Sequence, residues 1–127
     1  MLWNLRPHGI TGSKIEKLLD FCHITANKNS IVGDKSAITP GGVRLGTPAL
    51  TTRGLTEKNF EDVAEFLTRA VDIGKHIQAA SPSTKLVDFV KACEQSTELS
   101  SLGAEVREYA VQFPFPGLES PFPTKLQ

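Results

Sequence analysis

The chain has 127 residues, a length that fits one domain with a real core but is small for a complete enzyme with a cofactor and two substrates. Its 14 basic and 14 acidic side chains cancel and are interspersed, which disfavours binding to nucleic acid or an anionic membrane. No apolar run approaches the ~20 residues of a membrane span, and the start MLWNLRPHG lacks signal-peptide features, so we expect a soluble chain without a targeting segment.

The first part of the chain predicts a strand, a helix and a long loop. The apolar stretch LWNL at residues 2–5 is typical of a strand. Ser13 followed three residues later by Glu16 predicts a capping box, and an amphipathic helix is predicted over residues 14–23. Turn-forming residues without periodicity fill residues 25–42 and predict a loop. A loop of this length in a compact domain is usually functional or disordered, and we consider function first.

The second part of the chain is mostly helical by its pattern. Imperfect alternation over residues 43–54 predicts one or two short strands. Apolar residues at helical spacing predict a long helix from the cap Thr56 to about residue 78 and shorter helices around residues 86–93 and 99–113. Residues 114–127 hold four prolines and are expected to be an irregular tail. The predicted fold is a small α/β unit in which a few strands are covered by several helices.

Arg44 is the first candidate functional residue because it is a lone arginine among glycines and small residues. Its guanidinium is a planar fork that fits a carboxylate or a phosphate. Gly41, Gly42 and Gly46 are expected to let the backbone take unusual angles and come close to a ligand. The residue types alone leave two interpretations open: an anion clamp, or an ordinary salt bridge that secures a strand to a neighbouring helix.

Three more polar residues near Arg44 have a functional and a structural interpretation. The amide of Asn29 has a donor and an acceptor side by side and suits the edge of a heterocycle such as a pterin, but asparagine is also a common turn residue. Lys28 either attracts an anionic tail or is simply solvated. Arg53 is better explained as a structural residue at the end of a strand.

The remaining reactive side chains predict neither a metal site nor a nucleophile. His8, His23 and His76 are dispersed, and no carboxylate or cysteine lies at metal-ligand spacing to any of them. Cys22 and Cys93 fall on the apolar sides of predicted helices, where a thiol is buried and inert. Two such cysteines make a poor disulfide framework, so a reducing compartment is expected.

The segment from HITANKNS to GDKSAITPGGVRLGTPALTTRGLTEKNFEDVAEFL resembles the C-terminal region of serine hydroxymethyltransferase, in particular the plant-like enzymes. The resemblance extends upstream through LWNLRPHGITGSKIEKLLDFC and, more loosely, downstream to QFPFPG. It therefore covers nearly the whole chain.

This resemblance implies a role for each candidate. The family consists of pyridoxal phosphate enzymes of the aspartate aminotransferase fold type (fold type I), which interconvert serine and glycine and pass a one-carbon unit to tetrahydrofolate. It implies that Arg44 binds the carboxylate of the amino acid substrate and that Asn29 contacts the pterin of the folate. Ser36, Ala37 and Ile38 are implied to lie beside the same ligand. Relatives are dimers or tetramers, which implies a homo-oligomer.

The chain departs from the family pattern by what it lacks. Relatives carry the lysine of the pyridoxal phosphate Schiff base in a threonine-rich segment followed by HK, and no such segment occurs here. We therefore expect no catalytic and no cofactor-binding residue in this chain. Residues 1–127 are expected to correspond to the C-terminal small domain, with 114–127 as its tail and the large domain with the cofactor lysine absent.

Three hypotheses follow for the chain. The first is that it is part of a serine hydroxymethyltransferase, present as a fragment or a truncated paralogue. The alternative is a non-catalytic interaction or regulatory protein that binds a full-length relative or a folate-type ligand. The third is a poorly folded remnant with exposed apolar faces. A cytoplasmic location is expected, and mitochondria or plastids are compatible with the resemblance.

Overall fold

Within residues 1–118, the part of the chain that this computed structural model describes, three short strands form an antiparallel sheet. They are β1 (Leu2–Asn4), β2 (Asn27–Asn29) and β3 (Gly42–Arg44). β3 is the central strand and pairs with both others. Its Val43 is fully buried and marks the inner face of the sheet.

Helices cover that inner face. The described residues contain a 3-10 turn at Arg6–His8 and the helices α1 (Gly12–Phe21), α2 (Pro48–Thr52), α3 (Glu57–Ala80), α4 (Leu86–Glu94) and α5 (Thr97–Ala110). α1 packs against β2 and β3 on one side and against α3, α4 and α5 on the other. Ile15, Leu18 and Leu19 of α1 are fully buried, because their spacing puts them on the core side of one helix. None of the helices in residues 1–118 combines the length and hydropathy of a membrane span.

The predicted α/β class and most predicted elements are confirmed. β1 lies within the predicted strand, and the four helices α1, α3, α4 and α5 lie within three residues of their predicted bounds. Thr56 begins α3 as predicted, in a capping box where the Asn59 side chain accepts a hydrogen bond from the Thr56 N–H at 2.9 Å.

The predicted capping box at Ser13 and Glu16 is wrong. Thr11 is the cap of α1, and its Oγ1 accepts a hydrogen bond from the Lys14 N–H at 3.3 Å. The helix begins earlier because the Gly12 N–H donates to the Pro40 carbonyl at 2.8 Å, a long-range contact that no local pattern announces. Ser13 consequently lies inside the helix.

Two predictions around Arg44 also need correction. The predicted loop over residues 25–42 contains β2, whose polar sequence NKN shows no strand pattern. The second predicted strand, around Ala49 and Leu50, is the helix α2, because Pro48 in its first turn has a backbone angle that suits a helix start. Residues 114–118 of the predicted tail form neither helix nor strand, and residues 119–127 lie outside the described part of the chain.

Candidate functional site

Arg44 lies at the end of the central strand with an exposed side chain. Leu2 and Asn27 are its partners on the two neighbouring strands. Because Val43 is buried on the inner face, the alternation of side chains along a strand places Arg44 on the outer face. Within residues 1–118 no hydrogen bond or ion pair engages its guanidinium, so the interpretation as a salt bridge to a neighbouring helix finds no partner there.

An apolar cleft of about 470 Å³ opens beside Arg44. This volume lies within the range of small-molecule sites. Its apolar walls include Ile24, Leu45, Leu50, Phe60, Val63 and Leu67. Arg44 is the sole charged side chain among the described residues that line the cleft. A single guanidinium beside apolar walls suits a small anion such as a carboxylate, since two of its N–H groups can donate to the two carboxylate oxygens.

Asn29 lies on the same outer face as Arg44. It pairs with Gly42, two residues before Arg44 on β3, while Asn27 pairs with Arg44 itself. Diagonal neighbours of this kind are about 7–8 Å apart. The Asn29 Nδ2 donates to the Ser30 carbonyl at 2.7 Å, and its Oδ1 accepts no hydrogen bond within residues 1–118. The register therefore puts Arg44 and Asn29 on one face of the sheet as diagonal neighbours.

Glu16 fixes the edge strand that carries Asn29. Its Oε2 accepts a hydrogen bond from the Lys28 N–H at 2.7 Å, which ties β2 to α1. The Lys28 side chain is exposed and has no polar partner in the described part of the chain. Alternation along β2 places it on the opposite side from Asn29, so the structure does not bring Lys28 and Arg44 together.

Ser36, Ala37 and Ile38 lie at the exposed tip of the loop between β2 and β3. The Ser36 Oγ accepts a hydrogen bond from the Ile38 N–H at 3.1 Å, which folds the tip into a turn. The Ile38 side chain is 86% exposed. The loop begins directly after Asn29, which pairs with Gly42 two residues before Arg44, so the loop leaves the sheet next to the Asn29 position.

A clasp formed by Arg6 and Asp34 closes the base of that loop. The Asp34 Oδ2 accepts hydrogen bonds from the Ile31 and Gly41 N–H groups, each at 2.9 Å. Its Oδ1 lies 3.9 Å from the Arg6 Nε. The hydrogen bond from Gly41, then that from Ile31, and finally the Arg6 charge hold the pKa of the Asp34 carboxyl below its ordinary value.

Arg6 also holds the loop backbone directly. Its guanidinium donates to the Gly33 carbonyl at 2.8 Å and to the Val32 carbonyl. Sequence reasoning missed Arg6, Asp34 and Glu16 as contributors to this region. An aspartate in a loop is a common turn residue and therefore a weak local signal. Nothing in the sequence indicates that Arg6 reaches across 27 positions to Gly33.

The glycines before Arg44 serve close packing of the chain on itself. Gly41, Gly42 and Gly46 all lack a positive φ angle, contrary to the expectation of unusual backbone angles. A Cβ on Gly42 would be 2.6 Å from the Trp3 carbonyl oxygen, and one on Gly41 would be 2.7 Å from the Asp34 Oδ1. Gly42 therefore allows β1 to approach β3 closely, Gly41 allows the Asp34 carboxylate to approach the backbone, and both contacts are with protein atoms.

Arg53 is a structural residue, as expected, but it ends a helix where a strand was predicted. It follows α2 and donates to the carbonyls of Ala110 and Phe113 at 3.0 Å each and of Pro114 at 3.2 Å. Its guanidinium lies 4.0 Å from the ring centre of Phe115. These contacts satisfy the carbonyls at the end of α5.

The cysteines are buried free thiols. Burial raises the pKa of Cys22 to about 11, with a smaller contribution from Cys93, and burial raises that of Cys93 to about 11 as well. A thiol with such a pKa stays protonated and is a poor nucleophile. No group of three potential metal ligands occurs within residues 1–118.

A second, more open cleft of about 510 Å³ lies along α5. His23, Arg107 and Glu108 are among its lining residues. Arg44 and Asn29 are not, and the cleft contains no pair of side chains within hydrogen-bonding distance that could act as acid and base. The cleft beside Arg44 is therefore the better candidate.

Comparison with known proteins identifies similar chains. The family model described as serine hydroxymethyltransferase matches residues 1–67. Serine hydroxymethyltransferase 4 of Arabidopsis thaliana is 49% identical over 117 residues, which are 92% of this chain and 25% of that protein. The serine hydroxymethyltransferase of Bombyx mori is 45% identical over 122 residues, 93% of this chain and 26% of that protein. The mitochondrial enzyme of Saccharomyces cerevisiae is 40% identical over 114 residues, 85% of this chain and 23% of that protein. The chain thus spans about a quarter of the length of these relatives.

Proposed function

The chain belongs to the serine hydroxymethyltransferase family, and we propose that it supplies the substrate carboxylate site and part of the tetrahydrofolate site of such an enzyme. The complete enzyme would interconvert serine and glycine with transfer of a one-carbon unit to tetrahydrofolate. The observation that carries this proposal is Arg44, whose guanidinium has no partner within residues 1–118 and borders an apolar cleft.

Arg44 would bind and orient the amino acid through its carboxylate. Two parallel N–H groups of a guanidinium match the two oxygens of a carboxylate, which fixes orientation as well as position. The β3 backbone is paired on both sides, so the base of the side chain is held by the sheet. Binding at this point would leave the rest of the amino acid free to face the reacting groups of the enzyme.

Asn29 and the loop tip with Ser36, Ala37 and Ile38 would contact tetrahydrofolate. The Asn29 Oδ1 can accept a hydrogen bond from a ring N–H of the pterin. The exposed Ile38 side chain offers an apolar surface to the same ligand. Arg44 and Asn29 lie on one face of the sheet, so the two substrates would bind near each other.

The cofactor would be held elsewhere in the assembled enzyme. Pyridoxal phosphate supplies an electron sink when it is bound through a lysine. No lysine is among the described residues that line the cleft, and the buried Lys14 donates to the Gln78 side chain at 2.7 Å within the helical layer. These residues do not fit the cofactor, and we assign it no contact in residues 1–118.

We place the chain, by family, in the C-terminal small domain of a fold-type I enzyme that forms homo-oligomers. Cytoplasm is the proposed location. The similar proteins include one named chloroplastic and others named cytosolic and mitochondrial, so family membership is compatible with each compartment.

A fusion protein tests the proposed function. Residues 1–127 would replace the matching C-terminal quarter of Arabidopsis serine hydroxymethyltransferase 4, and serine cleavage would be followed with tetrahydrofolate. We expect activity, and we expect Arg44→Ala to raise the KM for serine at least about tenfold because a charge-assisted pair is lost. The KM for tetrahydrofolate should change less than about twofold. An inactive fusion, or an Arg44 variant with an unchanged KM for serine, would contradict the proposal.

A second candidate is a non-catalytic chain that binds a full-length relative. The apolar lining of the Arg44 cleft and the 52% exposed Leu2 favour it, because such surfaces suit a protein partner. Co-expression of the chain with tagged Arabidopsis serine hydroxymethyltransferase 4 tests this role. Stable co-purification together with an inactive fusion would favour the interaction protein.

A further inference from the structure

We propose that Arg6 and Asp34 are positioning residues of the tetrahydrofolate site: the clasp that they form holds Asn29 and the loop tip in the arrangement that binds the folate. This inference rests on the proposed function and adds two residues that touch neither substrate. It follows from where the clasp lies in the connection between β2 and β3.

That connection is long for two strands that pair with each other. Residues 30–41 separate β2 from β3, whereas hairpin loops usually have two to five residues. A loop of this length has many open conformations, and closing it costs conformational entropy. A ligand that needs one conformation binds more weakly if the loop must be ordered first.

Asp34 removes most of that freedom by joining the two ends of the loop. One carboxylate oxygen accepts from Ile31, near the start, and from Gly41, at the end. The Asp34 side chain is 9% exposed, so water competes little for these bonds. These hydrogen bonds join residues 31–34 to residue 41 and close the base of the loop. The tip at residues 35–39 projects from this closed base.

Arg6 anchors this closed base to the rest of the fold. It lies in the 3-10 turn after β1, and its guanidinium donates hydrogen bonds to the Val32 and Gly33 carbonyls. Gly33 has a φ of +92°, and a Cβ there would be 2.7 Å from the Arg6 Nη2. Glycine at this position therefore allows the arginine to approach the backbone. The position of the tip is thus set by contacts made outside the tip itself.

Trypsin cleavage after Lys35 measures loop opening in the full chain. Lys35 is exposed in the projecting tip and has no polar partner within residues 1–118. We expect Asp34→Asn to speed cleavage at Lys35 at least about tenfold, since opening becomes easier when the charged acceptor is lost. Arg69→Gln is the matched control, because it breaks the pair with Glu105 far along the chain and should leave the Lys35 rate unchanged.

Enzyme kinetics in the fusion protein tests the positioning role. We expect Asp34→Asn and Arg6→Gln each to raise the KM for tetrahydrofolate several-fold, about tenfold for Asp34→Asn, with the KM for serine within about twofold. The double variant should be little worse than Asp34→Asn alone, because both residues act in one clasp. Arg69→Gln should change neither KM.

The outcomes separate this inference from the proposed function. If Arg44→Ala raises the KM for serine while Asp34→Asn leaves the KM for tetrahydrofolate unchanged, the positioning role is wrong and the proposed function stands. Equal increases in both KM values would indicate general damage and would also overturn it. If the fusion is inactive, the cleavage rate at Lys35 still tests the clasp. An unchanged rate in Asp34→Asn would show that the clasp does not order the loop. A faster rate would show that the clasp orders the loop, but the proposed role in folate binding would be rejected.

Discussion

Gly12 of α1 lies so close to Gly42 of β3 that a Cβ on Gly12 would be 2.1 Å from the Gly42 carbonyl oxygen. The same Cβ would be 3.0 Å from the Pro40 carbonyl oxygen, to which the Gly12 N–H donates at 2.8 Å. Both oxygens belong to the backbone and cannot rotate away. The start of the central helix and the strand that carries Arg44 therefore meet at a contact that requires glycine.

Gly12→Ala is expected to destabilise the chain by about 2–3 kcal/mol, since α1 must move away from β3 and the core packing around it is lost. Urea unfolding followed by the fluorescence of Trp3 measures this. Gly46→Ala is the control, because its nearest neighbouring atom is Pro48 Cδ at 3.7 Å and its φ is not positive. A change within about 0.5 kcal/mol is expected there. Equal losses in both variants would show that the close contact is not the cause.

The elements that sequence could predict are those whose cause is local. α3 has a long apolar periodicity and a cap in Thr56, and both act within a few residues. β2 depends instead on β3 and on the Glu16 carboxylate, so the polar sequence NKN gives no sign of it. Thr11 rather than Ser13 caps α1 because Gly12 is held by a residue 28 positions away.

In the candidate site, too, some residues could be predicted from the sequence and others could not. Arg44 and Asn29 could be selected from residue type and family resemblance, and the sheet register then places them on one face. The clasp could not be predicted, because Arg6 and Asp34 are joined by contacts between segments that are distant in the sequence. Long-range contacts of this kind depend on the complete fold.

His23 ends α1 in a conformation that favours glycine. Its φ is +59°, and it forms a Schellman motif in which the His23 N–H donates to Asp20 and the Ile24 N–H donates to Leu19. A side chain in this left-handed conformation costs about 1 kcal/mol, so His23→Gly is expected to raise the free energy of unfolding by about that amount. His76→Gly, in the interior of α3, should lower it by about 0.5 kcal/mol, since glycine is the poorer helix former. Urea unfolding of both variants tests the opposite signs, and a loss of stability in His23→Gly would contradict the argument.

Because Cys22 and Cys93 are buried thiols, we expect the free energy of unfolding to fall at alkaline pH. Their pKa values are raised from the ordinary 9.0 to about 11 in the fold. Below about pH 9 both the folded and the unfolded chain keep these protons, so the contribution is fully present. Between about pH 9 and 11 the unfolded chain releases protons first, so stability falls as pH rises. Urea unfolding at about pH 8 and pH 10.5 measures the drop, which should be smaller in a variant with Cys22→Ala and Cys93→Ala. The same drop in that variant would assign it to other groups.

We expect the contacts of Arg53 to stabilise the C-terminal end of α5. Its guanidinium satisfies three carbonyls from Ala110 to Pro114 and stacks on Phe115, a set of contacts that needs a planar fork. Arg53→Ala should lower the free energy of unfolding by about 2 kcal/mol, since carbonyls at the helix end lose a charged donor. Arg53→Lys should recover less than half of this, because an ammonium group cannot reach all three carbonyls in one plane.

Hydrogen exchange gives the local readout for these Arg53 variants. The Phe113 N–H donates to the Ala110 carbonyl at 3.3 Å, and its protection should fall in Arg53→Ala and in Arg53→Lys. Arg69→Ala is a suitable comparison, because it removes another arginine whose partner, Glu105, is exposed and lies earlier on α5. It should leave the protection of Phe113 unchanged. Full recovery of stability and protection by Arg53→Lys would show that positive charge alone holds the end of α5, and that the geometry of the guanidinium is not required.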